Sequence, residues 1–563
     1  MADNSLDRKI KDVDNTSPMG GGSFILRELT IMSPSSPNVV HLNSPGVFEE
    51  LNIYEDLFSN VLRGTFTFID NQGLAETIPI IGDETLIISF STPGAGSKQD
   101  SVGDDLESGT SSEEVFEQRF RVYDCIEDTT EEKSKFYKLF FVSPEYIINT
   151  KSKISKGYKG RFYHHIVKDA LKKINKKISL PWQKKVFIEK TATPQNVIVP
   201  NWTPFQAINF CASRSLSSAV EDTEIETPEK NQAAFAPGSL FVFYEKLGTG
   251  FFYESIETMI VKQSTKKRVP LYQYVPKTAG KEQGPIGVEF FGVEKFEFKG
   301  SFRALENLGF GMYGSKLIAY DPIRMKYDEV KYDYYEKKEN PTTSYVEPKT
   351  GATVEEPDPS QEKDDSQRIF ADFIATDIHP TDKTQNKLIS DSSDLLGSNE
   401  ASIKLATTTK DHDAMFVSPP APGPPTFETY STGIGVTSKT FKDDESKPNQ
   451  VENWLLQREM QLQEYGNIVV TFNVAGNSAR HVGDLIRFEM PSAIAPDTMG
   501  SVDIGHQLYS GYYLVSKIRH IITINEYKTD LELIKNSFAK RIPGQATKQQ
   551  EAADTTIMTS GMP

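Results

Sequence analysis

The stretch Ile81-Gly82-Asp83-Glu84-Thr85-Leu86-Ile87-Ile88-Ser89-Phe90 has a counterpart near the other end of the chain, Val482-Gly483-Asp484-Leu485-Ile486-Arg487-Phe488-Glu489-Met490. An alternating segment precedes each copy, Arg63–Phe68 before the first and Ile468–Val474 before the second. Alternation of period two is typical of a strand with one buried face, and Gly-Asp is a common turn pair. The sequence therefore predicts two related antiparallel β units, the alternative being a chance recurrence of strand–turn–strand phrases.

Size and charge limit the class of protein. At 563 residues the chain has room for roughly three or four domains. Its 34 Phe and 23 Tyr favour strands. The net charge of −16 argues against specific nucleic-acid binding, because phosphate contacts need a basic surface.

The cysteines and the apolar segments exclude further classes. Cys125 and Cys211 are the only cysteines, too few for a disulfide framework or a cysteine-based metal site. Residues 1–5 lack the apolar region of a signal peptide. No apolar run approaches the ~18 residues of a membrane span, so no stable membrane association is expected.

Composition changes along the chain predict a mainly β fold with α+β insertions. Residues 24–142 read as an antiparallel barrel or sandwich whose hairpin carries a Gly/Ser/Asp-rich loop at 93–113. The predicted segments are a flexible arm (1–22), a first β domain (24–142), a central α+β part (143–340) with helices near 161–174 and 203–215, an extended low-complexity insertion (341–449), a helix and second β domain (450–540), and a flexible tail (541–563).

No motif in the sequence marks a chemical site. Gly309–Gly314 fits the dinucleotide pattern G-x-G-x-x-G, but here the order is helix then strand, the reverse of what that site requires. His164 and His165 are adjacent on a predicted helix and diverge by about 100°, which disfavours a shared metal. We therefore expect no catalytic, cofactor-binding or metal-ligating residues and no cofactor.

Other histidines and the basic stretch are read as structural. His481, His506 and His520 are isolated in the sequence. The Lys/Arg cluster at 151–185 is interpreted as a solvated helix face, with an acidic partner as the alternative.

Taken in order, several phrases resemble the baseplate central hub proteins of contractile-tailed phages, which are related to late-control-D-type tail proteins and to the spike hub domain of type VI secretion systems. The phrases that carry the resemblance are Arg63–Asp70, Ser143-Pro144-Glu145, Gly157–Gly160 opening a helix, Thr203–Ile208, Phe241–Glu245, Gly250–Phe252, Arg458–Gln461, Gly476-Asn477 and Val482–Asp484. They cover most of 24–335 and 450–537. Their order and spacing are more specific than any one of them.

The resemblance implies two tube-like antiparallel β-barrel or sandwich domains per chain, plus helical and hairpin elements, in a structural virion protein of the tail baseplate assembled in the host cytoplasm. Three chains would form a homotrimeric ring that joins the sixfold tail tube, or a tube-initiator ring, to the threefold central spike. Baseplate wedge proteins would surround this ring, and it would line the conduit for DNA ejection. An acidic wall fits such a conduit.

Two other functions remain open at the level of sequence. One is a hub fused to a cell-wall-degrading activity, with 341–449 as the remnant of that domain. The other is a hexameric distal-tail or tube-initiator protein. The repeat favours three copies over six, because one chain already supplies two β units.

Overall fold

The structure is a computed structural model. It describes residues 22, 24–92, 116–217, 239–299, 451–490 and 509–535, with short gaps at 35–38, 44–45, 72, 74–79, 132–133, 192–193, 265–268, 275–290 and 294, together with Asn307 and four strands between 314 and 431. The predicted loop 93–113, the tail 541–563, His506 and residues 309–313 lie outside the described residues. So does nearly all of the arm 1–22. No helix in the described part is long and apolar enough to cross a membrane.

The first β domain consists of antiparallel strands. They are β1 (Ile25–Met32), β2 (Val39–His41), β3 (Phe48–Asp56), β4 (Arg63–Asp70), β5 (Thr85–Ser91), β6 (Phe116–Glu131) and β7 (Ser134–Val142). Across the sheet their order is β3-β4-β7-β6-β5-β1-β2. Alternation decides the buried face: in β4, Phe66 and Phe68 enter the core while Thr65 and Thr67 are partly exposed.

The central part mixes helices with two small sheets. Its elements are α1 (Pro144–Thr150), β8 (Ile154–Phe162), α2 (Tyr163–Asn175), β9 (Lys185–Ile188), β10 (Pro194–Trp202), α3 (Pro204–Ala212), β11 (Phe241–Lys246), β12 (Gly250–Ser255) and α4 (Ile256–Ser264). Thr203 caps α3 in a capping box with Gln206, which explains the start of that helix. Apolar faces of α2 and α3 pack with β11 and β12 in one core.

The segment that follows contributes strands to two different sheets. β13 (Leu271–Tyr274), β14 (Gly292–Val293) and β15 (Lys295–Phe298) join the large sheet. A separate sheet contains β16 (Gly314–Asp321), β17 (Lys326–Asp333), β18 (Ile403–Thr407) and β19 (Glu428–Ser431). The insertion 341–449, predicted to be extended, thus contains two short strands. Sequence composition missed them because the partner edge, β16, lies far away in the chain.

The second β domain is completed by a helix and four strands, α5 (Val451–Tyr465), β20 (Ile468–Ala475), β21 (Leu485–Glu489), β22 (Gly511–Thr523) and β23 (Tyr527–Lys535). Five of its strands lie in the order β15-β20-β23-β22-β21. This reproduces the order β3-β4-β7-β6-β5 of the first domain. Every pairing in both series is antiparallel.

The pairing register makes the two series equivalent residue by residue. Phe66 lies opposite Leu139 in β7, and Phe472 lies opposite Leu531 in β23. Both β6 and β22 carry a bulge at the matching position, after Val122 in β6 and after Val515 in β22. A shared bulge is a specific feature of a strand pair, so the repeat is not a chance recurrence. The fold class predicted from the sequence is confirmed.

The same register corrects the sequence alignment of the two turns by one residue. The Val122 N–H donates to the Glu84 carbonyl, and the Val515 N–H donates to the Asp484 carbonyl. The Glu84 carboxylate accepts from the N–H three residues earlier, as the Asp484 carboxylate does. Glu84, rather than Asp83, is therefore the counterpart of Asp484. The Asp83 side chain is 59% exposed and pairs with Arg121.

One further prediction on the central part was wrong. The phrase Gly157–Gly160 does not open a helix; it lies within β8, and α2 begins after that strand ends. β8 pairs with β10 in a register interrupted by irregularities. Glycine and lysine are weak strand formers, so only the pairing with β10 reveals this strand.

Valine at either turn glycine is expected to destabilise the protein, and more at Gly483 than at Gly82. Both have positive φ, +80° and +85°, which costs a β-branched residue on the order of 1–3 kcal/mol. A Cβ at Gly483 would also lie 3.2 Å from the Tyr244 hydroxyl and 3.3 Å from the Met259 sulfur, whereas at Gly82 nothing lies nearer than 3.7 Å. Thermal unfolding of both variants checks this ranking. Equal losses would contradict it.

Candidate functional site: the joint between the two β domains

A single long strand, β22, holds the two β domains together. One of its edges pairs with β23 along most of its length. Its other edge is divided: Gly511–Leu514 pair with β21 of the same domain, and Lys517–Thr523 pair with β3 of the first domain. The two domains therefore form one continuous sheet. We call this β22–β3 contact the joint.

A buried carboxylate anchors the inner face of the joint. Glu55 in β3 is 1% exposed, and its carboxylate lies 3.2 Å from His481 Nδ1 and 3.4 Å from His520 Nε2. It also accepts from the Val482 N–H at 3.3 Å. His520 is fixed from its other side by the Tyr527 hydroxyl at 2.7 Å. One side chain of the first domain thus binds the turn that defines the second.

The electrostatics favour a charged Glu55. Burial alone would raise the pKa of Glu55, but the charge of His481 and hydrogen bonds from His481 and His520 outweigh it and lower that pKa to about 2. Burial likewise opposes the charge of His481, yet Glu55 raises the pKa of His481 above its usual value. The pair is a buried ion pair that links residues distant in sequence.

On the outer face of the joint the charges are complementary. Arg519 of β22 lies 3.4 Å from the Glu50 carboxylate, and its Nε donates to the Asn52 Oδ1 of β3 at 3.0 Å. Lys517 lies opposite Asp56 in the register. In this joint β22 supplies the cations and β3 the anions.

Of the three histidines predicted to be structural, His481 and His520 lie within the described residues, and both belong to the joint. His164 and His165 lie at the start of α2 with ring centroids 4.2 Å apart. Burial is the main cause that lowers the pKa of His164 to about 4, and its Nδ1 accepts from the Thr191 N–H. Within the described residues no cluster of three or more His, Cys, Asp or Glu side chains is placed to hold a metal ion.

The phrase Arg458–Gln461 connects α5 to the central part. Half-buried Arg458 donates to the carbonyls of Ser239 and Phe241, both at 3.2 Å. Gln461 donates to the Glu257 carboxylate at 2.6 Å. Because desolvation disfavours its charge, the pKa of Arg458 is lowered to about 10. The role of this phrase is structural.

The lysines of the basic stretch 151–185 lie in different parts of the structure. Five of its eleven lysines lie on the exposed face of α2 or in β8. Lys151, Lys177 and Lys185 instead line a cleft of about 610 Å³ between the first β domain and α1, together with Arg119 and Arg121. Lys184 also lines this cleft and lies between the Glu145 and Glu245 carboxylates.

Solved structures similar to this chain include tail proteins and a type VI secretion component. A tail protein from Neisseria meningitidis MC58 aligns over 91% of this chain and 97% of its own, with a TM-score of 0.42 and 8% identity. The 43 kDa tail protein of prophage MuSo2 from Shewanella oneidensis aligns over 91% and 99%, with a TM-score of 0.43 and 8% identity. The E. coli c3393 protein, a type VI secretion component described as similar to phage T4 tail proteins, aligns over 92% and 79%, with a TM-score of 0.30 and 8% identity.

These are the classes of protein that the sequence resembles. No family model matches the sequence, and no curated protein matches it. With TM-scores below 0.5 the likeness supports no functional argument. The equivalence of the two β domains is the observation that bears on function.

Proposed function

We propose that the protein is a structural component of a phage-type tail, a baseplate hub in which three copies close into a ring. The observation that carries the proposal is the equivalence of β3-β4-β7-β6-β5 and β15-β20-β23-β22-β21, including the shared bulge. A chain with two near-equivalent β domains presents six such domains when three copies close around an axis.

This arrangement solves a symmetry problem. A ring of identical single-domain subunits offers the same number of equivalent contacts on both sides. It therefore cannot match the sixfold symmetry of a tail tube on one side and the threefold symmetry of a spike on the other. A trimer of duplicated domains offers six similar contacts to the tube or tube-initiator ring. Its unduplicated parts, which include α1–α4, offer three contacts to the spike. Surrounding wedge proteins of the baseplate would contact the outside.

The charge of the chain fits the wall of a conduit in this setting. A net charge of −16 repels phosphate, so DNA would slide through the ring without binding specifically. The ring would assemble in the host cytoplasm and act in the virion baseplate.

The stoichiometry tests the proposal. Native mass spectrometry of the full chain, or of particles stripped to the hub, is expected to give three times the chain mass of 63.1 kDa. A monomer in dilute solution should convert to this species as concentration rises or when tube protein is added. A closed hexamer would instead support a distal-tail or tube-initiator protein, and a chain that stays monomeric with tube protein present would overturn the ring.

A further inference from the structure

Within the two equivalent five-strand series, two strand edges have no partner among the described residues. In β6, residues 116–121 pair with β5, but no strand pairs with the same edge beyond Arg121. In β15 one edge pairs with β20, and the other has no strand partner among the described residues. The exposed half of β6 carries Tyr123 and Ile126, whose side chains are 51% and 50% exposed. Open apolar edges of this kind are templates for pairing with another chain.

The joint shows what pairs with such an edge. β6 is the counterpart of β22, and β15 is the counterpart of β3. In the joint, the part of β22 beyond the bulge pairs with β3, with Arg519 opposite Tyr54. In the repeat Arg519 corresponds to Ile126, because Arg519 pairs with Asp530 in β23 and Ile126 with Lys138 in β7.

The partner residue follows in the same way. Tyr54 pairs with Arg63 at the start of β4. The counterpart of Arg63 in β20 is Val469, whose carbonyl accepts from the Lys299 N–H at 2.9 Å. Lys299 is therefore the counterpart of Tyr54.

We propose that β6 of one copy pairs antiparallel with β15 of the next, with Ile126 opposite Lys299 and Glu127 opposite Phe298. This inference rests on the proposed ring and specifies the surface that closes it. The joint inside each chain and the edge pairing between chains would then alternate around the ring. The contact is heterologous, because it joins two different surfaces. It forms a closed ring only if successive rotations from one copy to the next lead back to the first copy.

The hydrogen-bonding phase of both edges agrees with the proposal. Because the Lys299 N–H points to β20, the N–H groups of Phe296 and Phe298 point to the open edge. In the joint the Leu57 N–H donates to the backbone carbonyl of Ser516. These two residues are therefore a hydrogen-bonded pair of the antiparallel ladder. By alternation, Arg519–Tyr54 is then a non-hydrogen-bonded pair, and so is Ile126–Lys299.

The outward charges also distinguish right from wrong partners. The outward face of β15 and the residue after it carry Lys295, Glu297 and Lys299, and the matching face of β6 carries Asp124, which in the proposed register lies diagonal to Lys299. In the joint the signs are reversed, because the cations lie on β22. Pairing β6 with a second copy's β3 in the same register would set Asp124 directly opposite Asp56, so this charge favours β15 as the partner.

Cysteine cross-linking tests the register in the full chain. In a Cys125→Ser background, Ile126→Cys with Lys299→Cys places two thiols in a non-hydrogen-bonded pair, where the Cα separation of about 4.5 Å falls within disulfide range. Mild oxidation is expected to give covalent dimers and trimers on non-reducing gels. The matched control, Glu127→Cys with Lys299→Cys, puts the thiols on opposite faces and should stay uncross-linked.

A charge-reversal experiment gives an independent measure. Lys295→Glu with Lys299→Glu is expected to cause loss of the trimer without lowering the melting temperature of the monomer. Adding Asp124→Lys, which lies diagonal to position 299, should restore part of the trimer.

The possible outcomes separate the two proposals. A trimer in native mass spectrometry with no cross-link at 126–299, or with equal cross-linking in the control pair, would overturn the edge pairing and leave the ring intact. Absence of a trimer under every condition would overturn the ring itself.

Discussion

Replacing Lys184 by methionine is expected to lower the free energy of unfolding by about 3–5 kcal/mol, the usual cost of leaving a buried charge without its partner. The Lys184 Nζ lies 2.8 Å from a Glu145 oxygen and 2.5 Å from a Glu245 oxygen. The lysine side chain is 13% exposed and the two carboxylates are 1% and 0% exposed. Methionine keeps an unbranched side chain of nearly the same length and removes the ammonium group, with its charge and its hydrogen bonds.

The effect should be large because several elements meet at this cluster. Glu245 in β11 also accepts from the Gln118 side chain at 2.8 Å and the Leu62 N–H at 3.1 Å, both in the first β domain. Burial disfavours the charge on Lys184, but the two carboxylates raise its pKa above the usual value. Burial also raises the pKa of Glu145. Without the lysine, two buried carboxylates would face each other.

Chemical denaturation of the variant and a matched control measures this cost. The control is Lys185→Met, one residue later, where the side chain is exposed and the change should stay within about 0.5 kcal/mol. Adding Glu145→Gln and Glu245→Gln to Lys184→Met should recover part of the loss. A Lys184→Met protein as stable as the control would show that the carboxylates find other compensation.

The sequence is sufficient to predict the two β domains because their signal is local. Alternating residues such as Phe66, Phe68, Phe472 and Val474 specify a buried face without reference to the rest of the chain. The sequence alignment of the two turns was wrong by one residue, because it matched Asp83 with Asp484. The phrase Gly-Asp is shared, but the position that matters is the acid directly before the strand, and in the first domain that acid is Glu84.

The joint could not be predicted because its members are far apart in the sequence. Glu55 lies in the first domain, while His481 and His520 lie in the second. A signal was nevertheless present in β3. Leu51 and Ile53 point inward, and Glu55 is the next residue in that phase, so an inward carboxylate needed a buried partner.

Substituting Glu55 by glutamine is the second change with a large expected effect. The lowered pKa of Glu55, about 2 against a usual 4.5, corresponds to about 3 kcal/mol of stabilisation near pH 5.5. Glutamine is nearly isosteric but uncharged, so it loses the attraction to His481. Glu50→Gln is the matched control on the same strand, because its partly exposed contact with Arg519 should contribute no more than about 1 kcal/mol.

The pH dependence gives this prediction a distinctive form. A carboxyl whose pKa is lowered on folding contributes stability above about pH 4.5, and the contribution is lost as the pH falls towards 2. His481 has a raised pKa, so its contribution is complete below about 6.5 and disappears as the pH rises through the raised value. The gap in melting temperature between the wild type and Glu55→Gln should therefore be widest between about pH 4.5 and 6.5 and narrow on both sides. Glu50→Gln should show no such maximum. A gap that is flat with pH, or that grows steadily towards pH 8, would mean that the joint is held by strand pairing alone and that Glu55 is charged for another reason.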